Sequence, residues 1–196
     1  MAPDLRSITD CAIPAPVLPA AQLDEATAAR VAASGLGTFY SQLGHAPGLI
    51  DKWLGFYQPV VTGGVVELRT KELCRLRIAA RNGCLFCLGG RFRDADGTPV
   101  VDDDDVDAVL AGHFDDPRFT PREVAALTFT EVFRVDHTSV DKALVDATLE
   151  HFTEAEFVEL AICLAQFTGM GSLFAMLGIP SPVPSAGTVP ATAHAN

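Results

Sequence analysis

The sequence predicts an all-α fold, a helical bundle of about seven helices, and three observations carry that reading. Apolar residues recur at three- and four-residue spacing through most of the chain. Two stretches, Thr120-Pro121-Arg122-Glu123 and Thr153-Glu154-Ala155-Glu156, carry the Thr-x-x-Glu signature with which a helix satisfies its first free N–H groups. The one β-like patch, residues 60–66, is interrupted by Gly63-Gly64, which argues against a strand. With 196 residues, 48% of them hydrophobic and 20% charged, the chain can bury one real core. The expected division is an extended N-terminal arm over 1–22, a single helical domain over 23–179 and a flexible tail over 180–196.

The arm holds Pro3, Pro14, Pro16 and Pro19, which resist helix, and Cys11 within it reads as incidental. Residues 24–44 form one helix broken in the middle. Asp24 and Glu25 suit its first turn, Gly35 and Gly37 weaken it, and Leu36, Phe39, Tyr40 and Leu43 resume the apolar pattern. Pro47 suits the first position of a new helix, on which Ile50, Trp53, Leu54 and Tyr57 make an apolar stripe. Pro59 and Gly63-Gly64 are expected to end it. Trp53 reads as a core anchor and His45 as a turn residue.

Residues 70–95, TKELCRLRIAARNGCLFCLGGRFRDA, organise the rest. Thr70 can cap a helix with Lys71 and Glu72 in its first turn, and Leu73, Leu76 and Ala80 follow at helical spacing. Asn82-Gly83 marks a break, because both residues tolerate the left-handed conformation that ends helices. Cys84 then opens a second short helix, with Cys87 one turn on. A helix N-terminus favours a thiolate over a thiol, and positions i and i+3 share a face, so the pair can close to a disulfide or open to a dithiol. Two blander readings stand beside this one. The pair could be half a zinc site, although a second pair is absent and Cys74 and Cys163 stand alone. It could also be two buried apolar cysteines. Gly89-Gly90 points to close approach of another backbone or of a substrate, or to a fraying helix end. Arg91, one turn beyond Cys87, brings a permanent positive charge.

Residues 94–99 read as a turn around Gly97, and the acidic run Asp102 to Asp105 as N-terminal charge on a helix over 106–112. The first Thr-x-x-Glu box opens a helix running to about residue 135, with His137-Thr138 as the turn after it. Leu144, Ala147, Thr148 and Phe152 line a short helix. The second box opens the longest helix, ending near residue 177. Glu159 is the one charge from 157 to 179, so this helix is long and apolar enough to cross a bilayer. Gln166, Gly169 and Gly171 interrupt it and no basic flank follows, so it reads instead as a central bundle helix or an oligomer interface.

The run E-L-x-R-L-R-I-A-A-x-N-G-C-x-x-C, from Glu72 to Cys87, resembles the core motif of the carboxymuconolactone decarboxylase superfamily, and most closely its alkylhydroperoxidase D-like branch. The resemblance covers residues 45 to 178. It implies an alkylhydroperoxidase D-like helical bundle with the CxxC in a cleft near a subunit boundary, assembled as a trimer or hexamer. It implies that Cys87 attacks a peroxide, that Cys84 resolves the product to a disulfide, and that Glu72, twelve residues before Cys84, takes or relays the proton. A glutamate early in a helix also suits the helix dipole, and that alone would account for Glu72. Two positions depart from the branch. Arg91 and Phe86 stand where members carry histidines, and Arg91 can stabilise a thiolate or pair with Glu72 but cannot shuttle protons.

The expected activity is that of a thiol-dependent peroxidase or disulfide oxidoreductase. It would act on a small hydroperoxide and be reduced by an external dithiol or thioredoxin-like partner, with no cofactor and no metal. A lactone decarboxylase-like lyase and a non-catalytic helical oligomer with structural cysteines are the alternatives. The net charge of −11 disfavours nucleic acid and anionic membrane surfaces. Five cysteines without a secretory apolar region read as reduced thiols in the cytoplasm.

Overall fold

A computed structural model describes residues 16–34 and 37–180. Most of the expected arm, Cys11, the 35–36 break and the tail beyond Pro180 lie outside the described residues. Among the described residues there are nine α-helices and no strand: α1 Glu25–Ser34, α2 Gly37–Leu43, α3 Pro47–Val61, α4 Leu68–Asn82, α5 Leu85–Gly89, α6 Asp103–Ala111, α7 Pro121–Asp136, α8 Lys142–Leu149 and α9 Glu154–Met176. A single turn of 3-10 helix, His137–Ser139, joins α7 to α8. The all-α reading holds, and the count rises partly because residues 24–44 form two helices.

Both Thr-x-x-Glu boxes form. The Thr120 and Thr153 side chains each accept from the backbone N–H three residues on, and Glu123 and Glu156 reach back to the cap residues. A third box joins Asp102 to Asp105 at the start of α6. Asp105 is more than exposed dipole charge, because it is buried and takes the Arg69 guanidinium at 2.6 Å.

α4 lies at the centre, packed against α6, α7 and α9. Every residue of it from Thr70 to Ala79 is buried, four charged side chains included. A buried charge is tolerated only when paired and hydrogen-bonded. Lys71 Nζ donates to the Val60 and Gly63 carbonyls at 2.9 and 2.7 Å and lies 2.6 Å from Glu159. Arg77 pairs with Glu131 at 2.7 Å and donates to the Leu110 carbonyl, while Glu72 and Arg75 pair with each other.

The Lys71–Glu159 pair explains two departures from expectation. α4 begins at Leu68 with Glu67 as its cap residue, so Thr70 sits inside the helix. The reason is tertiary: the Glu159 carboxylate accepts from the Val65 and Val66 N–H groups and shapes the turn before α4. Gly64 in that turn has φ 79°, and a Cβ there would fall 2.3 Å from Glu159 Oε1. α3 likewise runs through Pro59 to Val61. Proline forfeits the bond to the Gly55 carbonyl, but Lys71 holds the helix end and Val61 is fully buried in the core.

The apolar interior has three parts. One lies among α4, α7 and α9 around Phe129, Leu160 and Phe167. A second joins α4, α6 and α7 through Leu73, Leu76, Val109 and Leu127. The third gathers Phe39, Tyr40, Ile50 and Phe174 with Cys84, from α1 to α3, the CxxC and the end of α9. The described end of the arm lies on this third part. Val17 N–H donates to the Leu177 carbonyl, and the Gln42 amide exchanges two hydrogen bonds with the Leu18 backbone.

Candidate active site

Gly83, at φ 61°, turns the chain out of α4, and the Cys84 N–H bonds back to the Ala79 carbonyl. Cys84 is the cap residue of α5, its sulfur accepting from the Cys87 N–H at 3.2 Å. Cys84 and Cys87 form a disulfide, with Cα atoms 5.2 Å apart. The two sulfurs differ in surroundings. Cys84 has 0% exposure, whereas Cys87 is half-buried and lines a cavity of 340 Å³.

That cavity is walled by α3, α4, α5 and α9, with Trp53, Tyr57, Phe86, Phe92 and Phe174 on its surface. Phe39 stacks on Trp53 with ring centroids 5.8 Å apart and meets Phe174 edge-on at 5.4 Å. The sequence alone places Trp53 in the core. The structure leaves it half-buried, packed against the core through Phe39 and Phe174 with part of its side chain on the cavity wall. Burial drives the Tyr57 phenol well above its usual range, so it stays a neutral hydroxyl.

Behind the disulfide, Glu72 has 0% exposure. Arg75 Nε donates to its Oε2 at 2.6 Å, and Arg75 Nη2 and the Phe92 N–H donate to its Oε1 at 2.8 and 3.1 Å. The same guanidinium donates to the Cys87 carbonyl and, at 3.0 Å, to the Gly90 carbonyl, and it lies over the Phe92 ring. Arg75 therefore ties the buried carboxylate to the backbone that carries Cys87. Arg91 does not take that place. Its guanidinium donates to the Leu88 and Gly90 carbonyls at 2.7 and 2.8 Å, and it stands on the cavity wall with Cys87.

Gly90 lines the cavity, and no other part of the protein crowds it. A Cβ on Gly90 would meet nothing within 4 Å, whereas one on Gly171 would lie 2.5 Å from Asn82 Nδ2 and 3.8 Å from Cys87 Sγ. Gly171 lets α9 come against the CxxC turn. Asn82 locks that contact, donating to the Phe167 carbonyl and accepting from Arg134 Nε and Ser172 Oγ.

The structure thus brings Cys84, Cys87, Glu72 and Arg91 to one side of α4, and it adds Arg75, Trp53 and Gly171. Arg75 carried one legible signal, an opposite charge three residues after Glu72 on a helix. Trp53 and Gly171 carried none, since their roles depend on which helices face each other.

Fold and site together define an all-α protein with a CxxC disulfide on the wall of an apolar cavity. The profile of the carboxymuconolactone decarboxylase family matches residues 47–132, which include Glu72, Cys84 and Cys87. The uncharacterised protein YdfG of Bacillus subtilis (strain 168) is 24% identical over 114 residues, 58% of this chain and 76% of its own. Two crystal structures share the fold. One is the alkylhydroperoxidase AhpD core of a peroxidase-related protein from Ralstonia eutropha, with TM-score 0.65 and 20% identity over 86% of this chain and 97% of that one. The other is a protein of unknown function from Agrobacterium tumefaciens, with TM-score 0.60 and 18% identity over 72% and 96%. Residues 47–132 thus match the carboxymuconolactone decarboxylase family, and the fold is that of the alkylhydroperoxidase D-like proteins.

Proposed function

We propose that this protein is a thiol-dependent peroxidase working through the Cys84–Cys87 pair. One observation supports this above the rest: the disulfide joins a sulfur that faces a cavity to a sulfur that is wholly buried. In the reduced enzyme the Cys87 thiolate attacks one oxygen of a small organic hydroperoxide. The O–O bond breaks, the alcohol leaves with a proton, and Cys87 becomes a sulfenic acid. The Cys84 sulfur displaces the sulfenic hydroxyl as water, closing the disulfide. An external dithiol in a reducing cytoplasm reopens it by exchange, taking over the oxidation. Arg91 supplies positive charge on the Cys87 side of the cavity. Glu72 and Arg75 hold the Cys87 and Gly90 carbonyls in place, and Glu72 is the buried carboxylate through which a proton can pass.

We also propose that the chain works as a homo-oligomer, a trimer or hexamer. Val158, Ile162 and Met176 on α9 and Val135 on α7 are large apolar side chains left exposed on a single copy. Light scattering at micromolar concentration tests this, and a single monomeric species counts against it.

The enzymatic reading is tested by counting thiols and consumed peroxide in wild type and Cys87→Ser. Wild type should lose two thiols per peroxide and Cys87→Ser none. Peroxide consumption that survives in Cys87→Ser would sink the proposal. Decarboxylation of a lactone acid by the Cys84→Ser, Cys87→Ser double variant would move the protein to the lyase side of the carboxymuconolactone decarboxylase superfamily.

A further inference from the structure

Two residues that line the cavity beside Cys87 carry polar groups that the bundle leaves unpaired. The indole Nε1 of Trp53 and the amide Nε2 of Gln166 are both shielded from solvent, and neither has a hydrogen-bond partner among the described residues. Buried donors without partners are rare, because each costs its full desolvation. Both belong to residues that line the same cavity, one from α3 and one from α9. Both are donors. Among the described lining residues there is no Asp or Glu, and the two charged side chains are Arg75, already neutralised by Glu72, and Arg91, bonded to two carbonyls. Two unpaired donors at the wall, with the Tyr57 hydroxyl and the Gln166 amide oxygen, are therefore the neutral polar groups of the lining side chains.

The remainder of the wall is aromatic. Phe86 lies 5.8 Å from both Phe39 and Phe174, edge-on to the latter, and Trp53 meets Phe174 edge-on at 5.9 Å. Such a wall offers ring faces and edges to a flat partner. The volume of 340 Å³ is about twice the ~150 Å³ of an apolar cavity that holds benzene, which sets a ligand on the order of a dozen non-hydrogen atoms.

We infer that the cavity is a binding site for a flat aromatic molecule carrying one hydrogen-bond acceptor, which Trp53 and Gln166 recognise together. Under the proposed redox chemistry, on which this preference rests, the protein prefers aromatic hydroperoxides of this size to hydrogen peroxide. Specificity then resides in the two donors and the aromatic wall. The CxxC supplies the chemistry and does not select the molecule.

A matched pair of probes tests the inference. 2-Acetylnaphthalene carries a carbonyl oxygen, and in 2-isopropenylnaphthalene a CH2 replaces that oxygen on the same skeleton with nearly the same volume. Trp53 is the lone tryptophan, so the labelled protein shows one indole N–H cross-peak. The ketone should shift that peak to lower field in the proton dimension, and the hydrocarbon should not. Trp53→Phe and Gln166→Met should each weaken the ketone about five- to tenfold and leave the hydrocarbon within about twofold. Equal responses of the two probes, or binding of neither to the wild type, would overturn the assignment, and the wild-type spectrum needs no variant to fold. Peroxide turnover in the same preparations separates this inference from the redox reading. Discrimination without turnover supports the site and removes the redox chemistry. Turnover without discrimination keeps the chemistry and removes the site.

Discussion

Two pairs of cysteines lie on either side of the same helix, and their surroundings make them different chemical groups. Cys74 and Cys163 are unbonded thiols buried in the core among α4, α7 and α9. Burial pushes each of them up to about 12, since the interior offers a thiolate neither water nor a counter-charge that outweighs desolvation. Cys84 and Cys87 lie where α4 ends in a left-handed glycine, next to a cavity and to the arginines 75 and 91. The core pair behaves as small apolar side chains, whereas the CxxC pair is bonded and reachable through Cys87. What separates them is which face of α4 each adjoins, not the residue type.

The comparison can be broken most directly by moving the chemistry. Cys87→Ser should lower peroxide turnover by at least about a thousandfold, while Cys74→Ala and Cys163→Ala keep it within about twofold. Steady-state rates on the three variants decide this, and loss of turnover in Cys74→Ala with the fold intact would place reactivity in the core.

The next effect is on stability. Arg75→Ala strands the Glu72 carboxylate without its buried partner and should cost about 3–5 kcal/mol in urea denaturation. A loss under about 1 kcal/mol would mean that the pair does not hold the CxxC side of α4 together.

A smaller effect sharpens the contrast through pH. The core thiols have folded values above the unfolded value of about 8.5, so their contribution is whole below that pH. It falls as pH rises toward 12, because the unfolded chain releases these protons first. Each thiol should steepen the alkaline loss of stability by at most about 1.4 kcal/mol per pH unit. Cys74→Ala, Cys163→Ala should flatten the denaturation midpoint between pH 8 and 10, and an unchanged slope would show that these thiols ionise in the folded protein. In the same range, after reduction, Cys87 on the cavity wall should alkylate faster than the buried core pair.

The smallest expected change is Arg91→His. It exchanges a fixed charge for a group that can carry a proton near neutral pH, and should raise turnover about two- to tenfold. A fall would mean that the permanent charge matters more than proton delivery.

What the sequence made legible was local. The Thr120 and Thr153 boxes, the Gly83 stop and the Glu72–Cys84–Cys87 spacing can be read from residues a few positions apart, and each forms where it was expected. The misreadings share one cause, a contact with a distant residue. Thr70 looked like a cap until Glu159, from the far end of the chain, shaped the turn before it. Pro59 looked like a helix end until Lys71 held the turn beyond it. Gly89-Gly90 read as a point of close approach and Gly171 only as an interruption of an apolar helix, although it is Gly171 that lies against Cys87. α4 itself has the charge of a surface helix and the position of a core helix, because its partners arrive from α3, α7 and α9.

α3 has a mechanical consequence for the cavity it walls. It is a beam supported at both ends. Asp51 near its start is tied to Arg30 and Tyr40, and the carbonyls near its finish are tied to Lys71. Trp53 and Tyr57 are at midspan. There Pro59 deprives Gly55 of its helical hydrogen bond, and nothing packs within 4 Å of a Cβ built on Gly55. The section that lacks a helical hydrogen bond is the one that carries these two rings on the cavity wall, so a guest of greater thickness should bend α3 there before it loosens either support.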